Sequence, residues 1–93
     1  MMQVLLYSKP DCHLCHVVKA DLLDLASEIG FVLQVQDIQT DPTLFERFRY
    51  LIPVVDIENG PLLYPPIDFL TLHQALIAAK RTPSTPSDKA AIL

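Results

Sequence analysis

The chain has 93 residues, two cysteines and a net charge of −4 from 7 basic and 11 acidic side chains. That length gives one domain, its 51% apolar content excludes a disordered segment, and two cysteines exclude the disulfide scaffold of small secreted domains. No basic run exists to neutralise phosphates, so no nucleic-acid partner is expected, and no apolar run approaches the roughly 20 residues of a membrane span.

The first residues, Met1-Met2-Gln3-Val4, lack the charged start and long apolar core of a signal peptide. The expected compartment is therefore the reducing cytoplasm, where a close cysteine pair serves chemistry or metal binding rather than structure. Val4 to Tyr7 is a short apolar run stopped by Ser8-Lys9-Pro10-Asp11, which predicts a buried strand. Leu14, Val18, Leu22, Leu25 and Ile29 then recur at helical spacing before Gly30, predicting a helix from Cys12 or His13 to Ile29. Asp21, Asp24 and Glu28 fall off that stripe, as a solvated face should.

Phe31 to Asp37 predicts a second strand, and strand, long helix, strand is a right-handed crossover with parallel strands. Asp41-Pro42 opens a short helix as N-cap and first helical residue, with Leu44, Phe45 and Phe48 turned to the core. Val54 to Ile57 predicts a third strand, and Glu58-Asn59-Gly60 a turn into a fourth at Leu62-Leu63-Tyr64. Asp68 caps a last helix through Lys80, with Phe69, Leu72, Leu76 and Ala79 on one face. From Thr82 onward the Thr-Pro-Ser repeats predict a flexible tail. The expected organisation is thus one α/β domain over residues 1–81 and a tail over 82–93. The order β-α-β-α-β-β-α predicts a mixed four-stranded sheet with helices on both faces, the smallest form of the thioredoxin fold.

Cys12-His13-Leu14-Cys15 lies directly after the first strand, at the mouth of the first helix. Residues three apart on a helix have Cβ atoms about 5–6 Å apart, near what a disulfide demands. On a strand the same spacing would send the thiols to opposite faces. The pair is therefore expected to cycle between dithiol and disulfide on a nearly fixed backbone. Cys12, at the positive end of the helix, is the expected thiolate nucleophile. A helix end supplies roughly 0.3–1 kcal/mol, and about 2 when partly buried, which at about 1.4 kcal/mol per pKa unit is one unit or so. Lys9 and a protonated His13 or His16 are the available cationic helpers, and Asp11 opposes them. Cys15, a turn further in, is expected to be less exposed and to act as the resolving thiol. His13 either tunes the thiolate or remains a solvated side chain. His16 is expected at the surface, and His73 in a structural role.

Cys12 to His16 also spells C-x-x-C-H, the attachment pattern of c-type haem. That use needs an export signal and a second axial ligand, and the only methionines are Met1 and Met2. A metal or iron–sulfur module is a further alternative, although zinc wants four ligands and at most two or three converge from this segment, so no metal ligand is assigned. A redox-silent interaction domain on the same fold is the third.

Tyr7-Ser8-Lys9-Pro10-Asp11-Cys12-His13-Leu14-Cys15 resembles the glutaredoxin active-site segment, and Ile52-Pro53-Val54-Val55 is similar to the segment carrying the cis-proline of thioredoxin-fold enzymes. The resemblance covers about residues 3 to 80 and is closest to small, poorly characterised glutaredoxin-like proteins. It implies a thiol–disulfide oxidoreductase with Cys12 as nucleophile and Cys15 resolving. Lys9 would partner the thiolate or a glutathione carboxylate, Pro53 would be the cis-proline, and Ile52 would offer its backbone to substrate. The implied partners are a disulfide-bearing protein or a glutathione mixed disulfide, reduced by glutathione or a thioredoxin reductase system, with no bound cofactor. Two departures stand out. His13-Leu14 replaces the usual Pro-Tyr, and Tyr64-Pro65-Pro66-Ile67-Asp68 replaces the Gly-Gly-x-Asp segment that holds glutathione, so only Asp68 carries over. Two prolines also remove backbone donors that glycines would supply.

Overall fold

The computed structural model describes residues 2–81; the expected tail, 82–93, lies outside them. Three helices and four strands follow the order β1 (Gln3–Ser8), α1 (His13–Leu25), β2 (Val32–Asp37), α2 (Pro42–Phe48), β3 (Val54–Ile57), β4 (Leu62–Leu63) and α3 (Phe69–Arg81). The strands form one sheet in the order β2-β1-β3-β4. β1 pairs with β2 in parallel, Gln3 opposite Val32 and Ser8 opposite Asp37. It pairs with β3 antiparallel, Val4 opposite Ile57 and Tyr7 opposite Val54. This is the α/β thioredoxin-like arrangement that the element order predicts.

The period-2 alternation of strands decides which side chain meets which layer. Val4 and Leu6 of β1, with Val55 and Ile57 of β3, form one face and pack on Val18, Leu22 and Leu25 of α1 and on Leu72, Leu76 and Ala79 of α3. Tyr7 and Val54 point the other way, into a smaller cluster with Ile38, Phe48, Leu44, Phe45 and Ile52. There the Tyr7 and Phe48 rings stack with centroids 4.6 Å apart. The centre of the sheet is thus covered on both sides, as β1, a continuous apolar run, requires.

Four local details depart from the pattern. The first helix ends its regular turns at Leu25 and continues as a wider π turn, Ala26–Gly30, in place of α-helix to Ile29. Gly30, at φ +88°, closes it in the left-handed region. The Lys80 ammonium, from the far end of α3, donates to the carbonyls of Ile29 and Gly30, each at 2.7 Å. Second, Leu14 is 59% exposed and Cys15, at 2%, takes the buried position of the stripe that leads on to Val18, Leu22 and Leu25. Third, Phe69 is exposed because it is the first residue of α3, and the buried face begins at Leu72. β4 is shorter than expected, ending before Tyr64; Pro65 and Pro66 follow and have no N–H to extend the ladder.

Candidate active site

The loop from Ser8 to Asp11 delivers the chain from the middle of the sheet to the mouth of α1. Cys12 N–H donates to the Lys9 carbonyl at 3.3 Å and closes this turn. Cys12 itself is extended (φ −100°, ψ 107°) and stands as N-cap of α1, its sulfur accepting the Cys15 backbone N–H at 3.2 Å. A helix start leaves its first N–H groups without intrahelical partners, and here a sulfur occupies the place that a serine or aspartate oxygen usually takes. The two cysteines have Cα atoms 5.2 Å apart and are joined as a disulfide, within the ordinary 4.4–6.8 Å range for such bridges. Cys12 is half-buried and Cys15 buried. One helical turn therefore separates an approachable sulfur from a covered one.

Charged groups ring the pair unevenly. Lys9 Nζ lies 3.8 Å from Asp11 Oδ1, so the nearest loop cation is met by the nearest loop anion. His13, the first residue of α1, is exposed. His16 Nε2 lies 2.8 Å from the Pro10 carbonyl, a contact across the loop that helical spacing alone could not disclose.

On the β3 side of the dithiol, the Ile52–Pro53 peptide is cis, as is Pro65–Pro66. Pro53 is buried and Ile52 half-buried. Leu14, Val17, Pro53, Pro65, Pro66 and Ile67 line an apolar groove of about 160 Å³ beside the cysteines. The exposure of Leu14, which a core assignment leaves unexplained, belongs to this groove. Asp68, the residue after Ile67, caps α3: its Oδ1 accepts the Thr71 N–H at 2.7 Å, and its carbonyl accepts Leu72 N–H at 3.1 Å. The Thr71 N–H, and secondarily the Thr71 hydroxyl, hold the Asp68 carboxyl below the usual carboxylate range. On the β2 side a second cleft, of about 170 Å³, reaches Cys15 between His16, Lys19, Lys9, Ser8 and Asp37.

The structure thus gathers Lys9, Cys12, His13 and Cys15 at one helix mouth and sets Pro53 on the groove wall, while Ile52 packs against Ile38, Phe48 and Val54 and Asp68 serves as a helix cap. Sequence reasoning missed the wall role of Leu14 and the His16–Pro10 contact. A signal existed for the first, since Cys15, Val18, Leu22 and Leu25 fit helical spacing as well as the series that starts at Leu14. Among the described residues no three His, Cys, Asp or Glu side chains form a group able to hold a metal ion, and no helix is long and apolar enough to cross a membrane.

Comparison with known proteins gives the family and the fold. Residues 3–77 match the model of the glutaredoxin-like domain (DUF836) family. Among solved structures, the chain is similar to a structural-genomics target protein, XcR50, from X. campestris, at 25% identity and a TM-score of 0.66, covering 86% of this chain and 99% of that one. It also superimposes on chloroplastic thioredoxin z, at 15% identity and a TM-score of 0.66 over 88% and 80% of the two chains. A malarial protein aligns at 16% identity and a TM-score of 0.61 over 87% and 94%. These last two show the shared fold. No curated protein matches the chain. The chain belongs to the glutaredoxin-like domain family.

Proposed function

From that membership and the site's geometry we propose that the protein is a thiol–disulfide oxidoreductase in which Cys12 is the nucleophile and Cys15 the resolving thiol. The observation that carries the proposal is the contrast between the two sulfurs. Cys12 is approachable and capped by a backbone N–H, whereas Cys15 is 2% exposed one turn deeper. A thiolate is the reactive form, and an N–H aimed at sulfur from the positive end of a helix stabilises it over the thiol.

In the reductive direction the Cys12 thiolate attacks a substrate disulfide R–S–S–R′. A Cys12–S–S–R bond forms, the S–S bond of the substrate breaks, and R′–S⁻ leaves with the electron pair. Cys15, having lost its proton, then attacks the Cys12 sulfur and releases R–S⁻. Two protein thiols are oxidised to the disulfide and the substrate is reduced to two thiols. A reductant, glutathione or a thioredoxin reductase system, returns the pair to the dithiol. The 5.2 Å Cα separation supports this cycle, since the bridge closes within one helical turn.

The substrate proposed is a protein disulfide or a glutathione mixed disulfide, met through Ile52 and Pro53. The apolar groove with Leu14 supports a partner that brings apolar side chains to the dithiol. Lys9 is proposed to meet a substrate carboxylate, in competition with Asp11, and Asp68 the amino end of glutathione, in competition with its helix-cap bond. A protonated His13 would favour the thiolate. The proposed place of work is the cytoplasm.

A disulfide-reduction assay supplied in turn with glutathione and glutathione reductase, or with thioredoxin reductase, tests the proposal on wild type, Cys12→Ser and Cys15→Ser. Cys12→Ser should be inactive and Cys15→Ser should accumulate a mixed disulfide. Equal activity in all three would end the proposal.

A further inference from the structure

The second step of this cycle needs a proton removed from Cys15, which is 2% exposed and does not line the apolar groove. Its opening is the cleft between β2 and the start of α1, lined by Ser8, Lys9, His16, Lys19 and Asp37. At about 170 Å³ the cleft far exceeds the ~10–15 Å³ that one water requires. Cys15, although almost fully covered, lines this cleft rather than the groove.

His16 stands on this cleft with a defined hydrogen-bond state. Its Nε2 lies 2.8 Å from the Pro10 carbonyl. A carbonyl only accepts, so Nε2 carries the hydrogen. In the neutral ring Nδ1 then keeps its lone pair and is the basic atom. The Pro10 contact therefore fixes both the tautomer and the position of the ring.

We propose that His16 is the base that takes the Cys15 proton, directly or through water in the cleft. The inference rests on the oxidoreductase reading of the dithiol. The Cys15 S–H proton passes to Nδ1 of His16, the Cys15 sulfur attacks the Cys12 sulfur, and the Cys12–S–S–R bond breaks. R–S⁻ departs with the electron pair, and the imidazolium then returns its proton to solvent. The other charges on the cleft are Lys9 from the loop, in contact with Asp11, Lys19 from α1 and Asp37 from the end of β2. Lys19, one turn beyond Cys15, favours the thiolate. Asp37 sets a carboxylate on the cleft, and its Oδ1 accepts the Gln39 N–H at 2.8 Å.

Ellman's reagent separates the two steps. The reduced protein releases one nitrothiobenzoate when Cys12 attacks and a second when Cys15 resolves. Both phases should be followed across pH for wild type, His16→Gln, His16→Ala and Cys15→Ser. Glutamine retains an N–H for the Pro10 carbonyl but is no base, so it separates base from tether. We expect the first phase to be unchanged in both His16 variants and the second to slow roughly 100-fold or more near neutral pH. That deficit should close as pH rises above the ordinary thiol range near 8.5, and added imidazole should restore His16→Ala. A second phase in His16→Gln that matches wild type in rate and pH profile would overturn the proposal and leave the dithiol cycle standing. Absence of a second phase in wild type, or its persistence in Cys15→Ser, would overturn both.

Discussion

Cys12 and Cys15 are chemically identical side chains made different by a single helical turn. The sequence discloses this much, because C-x-x-C after a strand places the first sulfur at a helix mouth and the second on its inner face. The partners of the surrounding charges are less legible. Lys9 reads as a cationic helper opposed by Asp11, but the direct approach of its ammonium to within 3.8 Å of Asp11 is not in the spacing. His16 reads as surface and is exposed, but its contact with the Pro10 carbonyl is not in the spacing either. Both contacts depend on the path of the loop, which no periodicity specifies. Asp68 was legible as a cap, and its depressed carboxyl makes a pH prediction. A carboxylate held below its unfolded value stabilises the fold fully above about pH 3.8, and the contribution is lost as pH falls through the folded value. Asp68→Ala should lower the Tm at pH 7. Thermal scans should show the gap from wild type narrowing as the pH is taken below 3.8.

The helices are legible at their starts and obscure at their ends. Asp41 and Asp68 announce α2 and α3 by cap chemistry, and both side chains accept the expected backbone N–H groups. The end of α1 is set by a residue 50 positions away: Lys80 bonds the Ile29 and Gly30 carbonyls. No local pattern encodes that contact, and Ile29 stays on the inner side of the wider turn, so the apolar series runs through it undisturbed. A Cβ at Gly30 would lie 3.0 Å from Lys80 Nζ, at a φ of +88°. Gly30→Ala should therefore cost about 1–2 kcal/mol from the left-handed backbone alone, measurable by urea unfolding. Lys80→Met keeps the stem and removes the donor, and it should lower the urea midpoint with little change in slope.

At the scale of the whole molecule, the core and the groove compete for apolar side chains, and burial identifies the winner at each position. Leu22 is fully buried between α1, α3 and the sheet. Its replacement by alanine should cost about 2–5 kcal/mol, a large share of the roughly 5–15 kcal/mol that holds a domain together. Leu14, although a leucine on the same helix, is exposed. Leu14→Ala should alter stability by no more than about 0.5 kcal/mol, while raising the KM for a protein disulfide. The four strands, their order of appearance and the two covered faces were all readable from alternation and crossover rules. The place of Leu14 was less legible, because Leu14 and Cys15 both continue the spacing of Val18, Leu22 and Leu25.

The unequal reach of the two sulfurs is open to direct measurement. The reduced protein can be treated with limiting iodoacetamide near neutral pH, and the labelled cysteine identified by peptide mass spectrometry. The account predicts carboxamidomethyl groups on Cys12, with Cys15 labelled only after unfolding. Equal labelling of the two, or earlier labelling of Cys15, would contradict it.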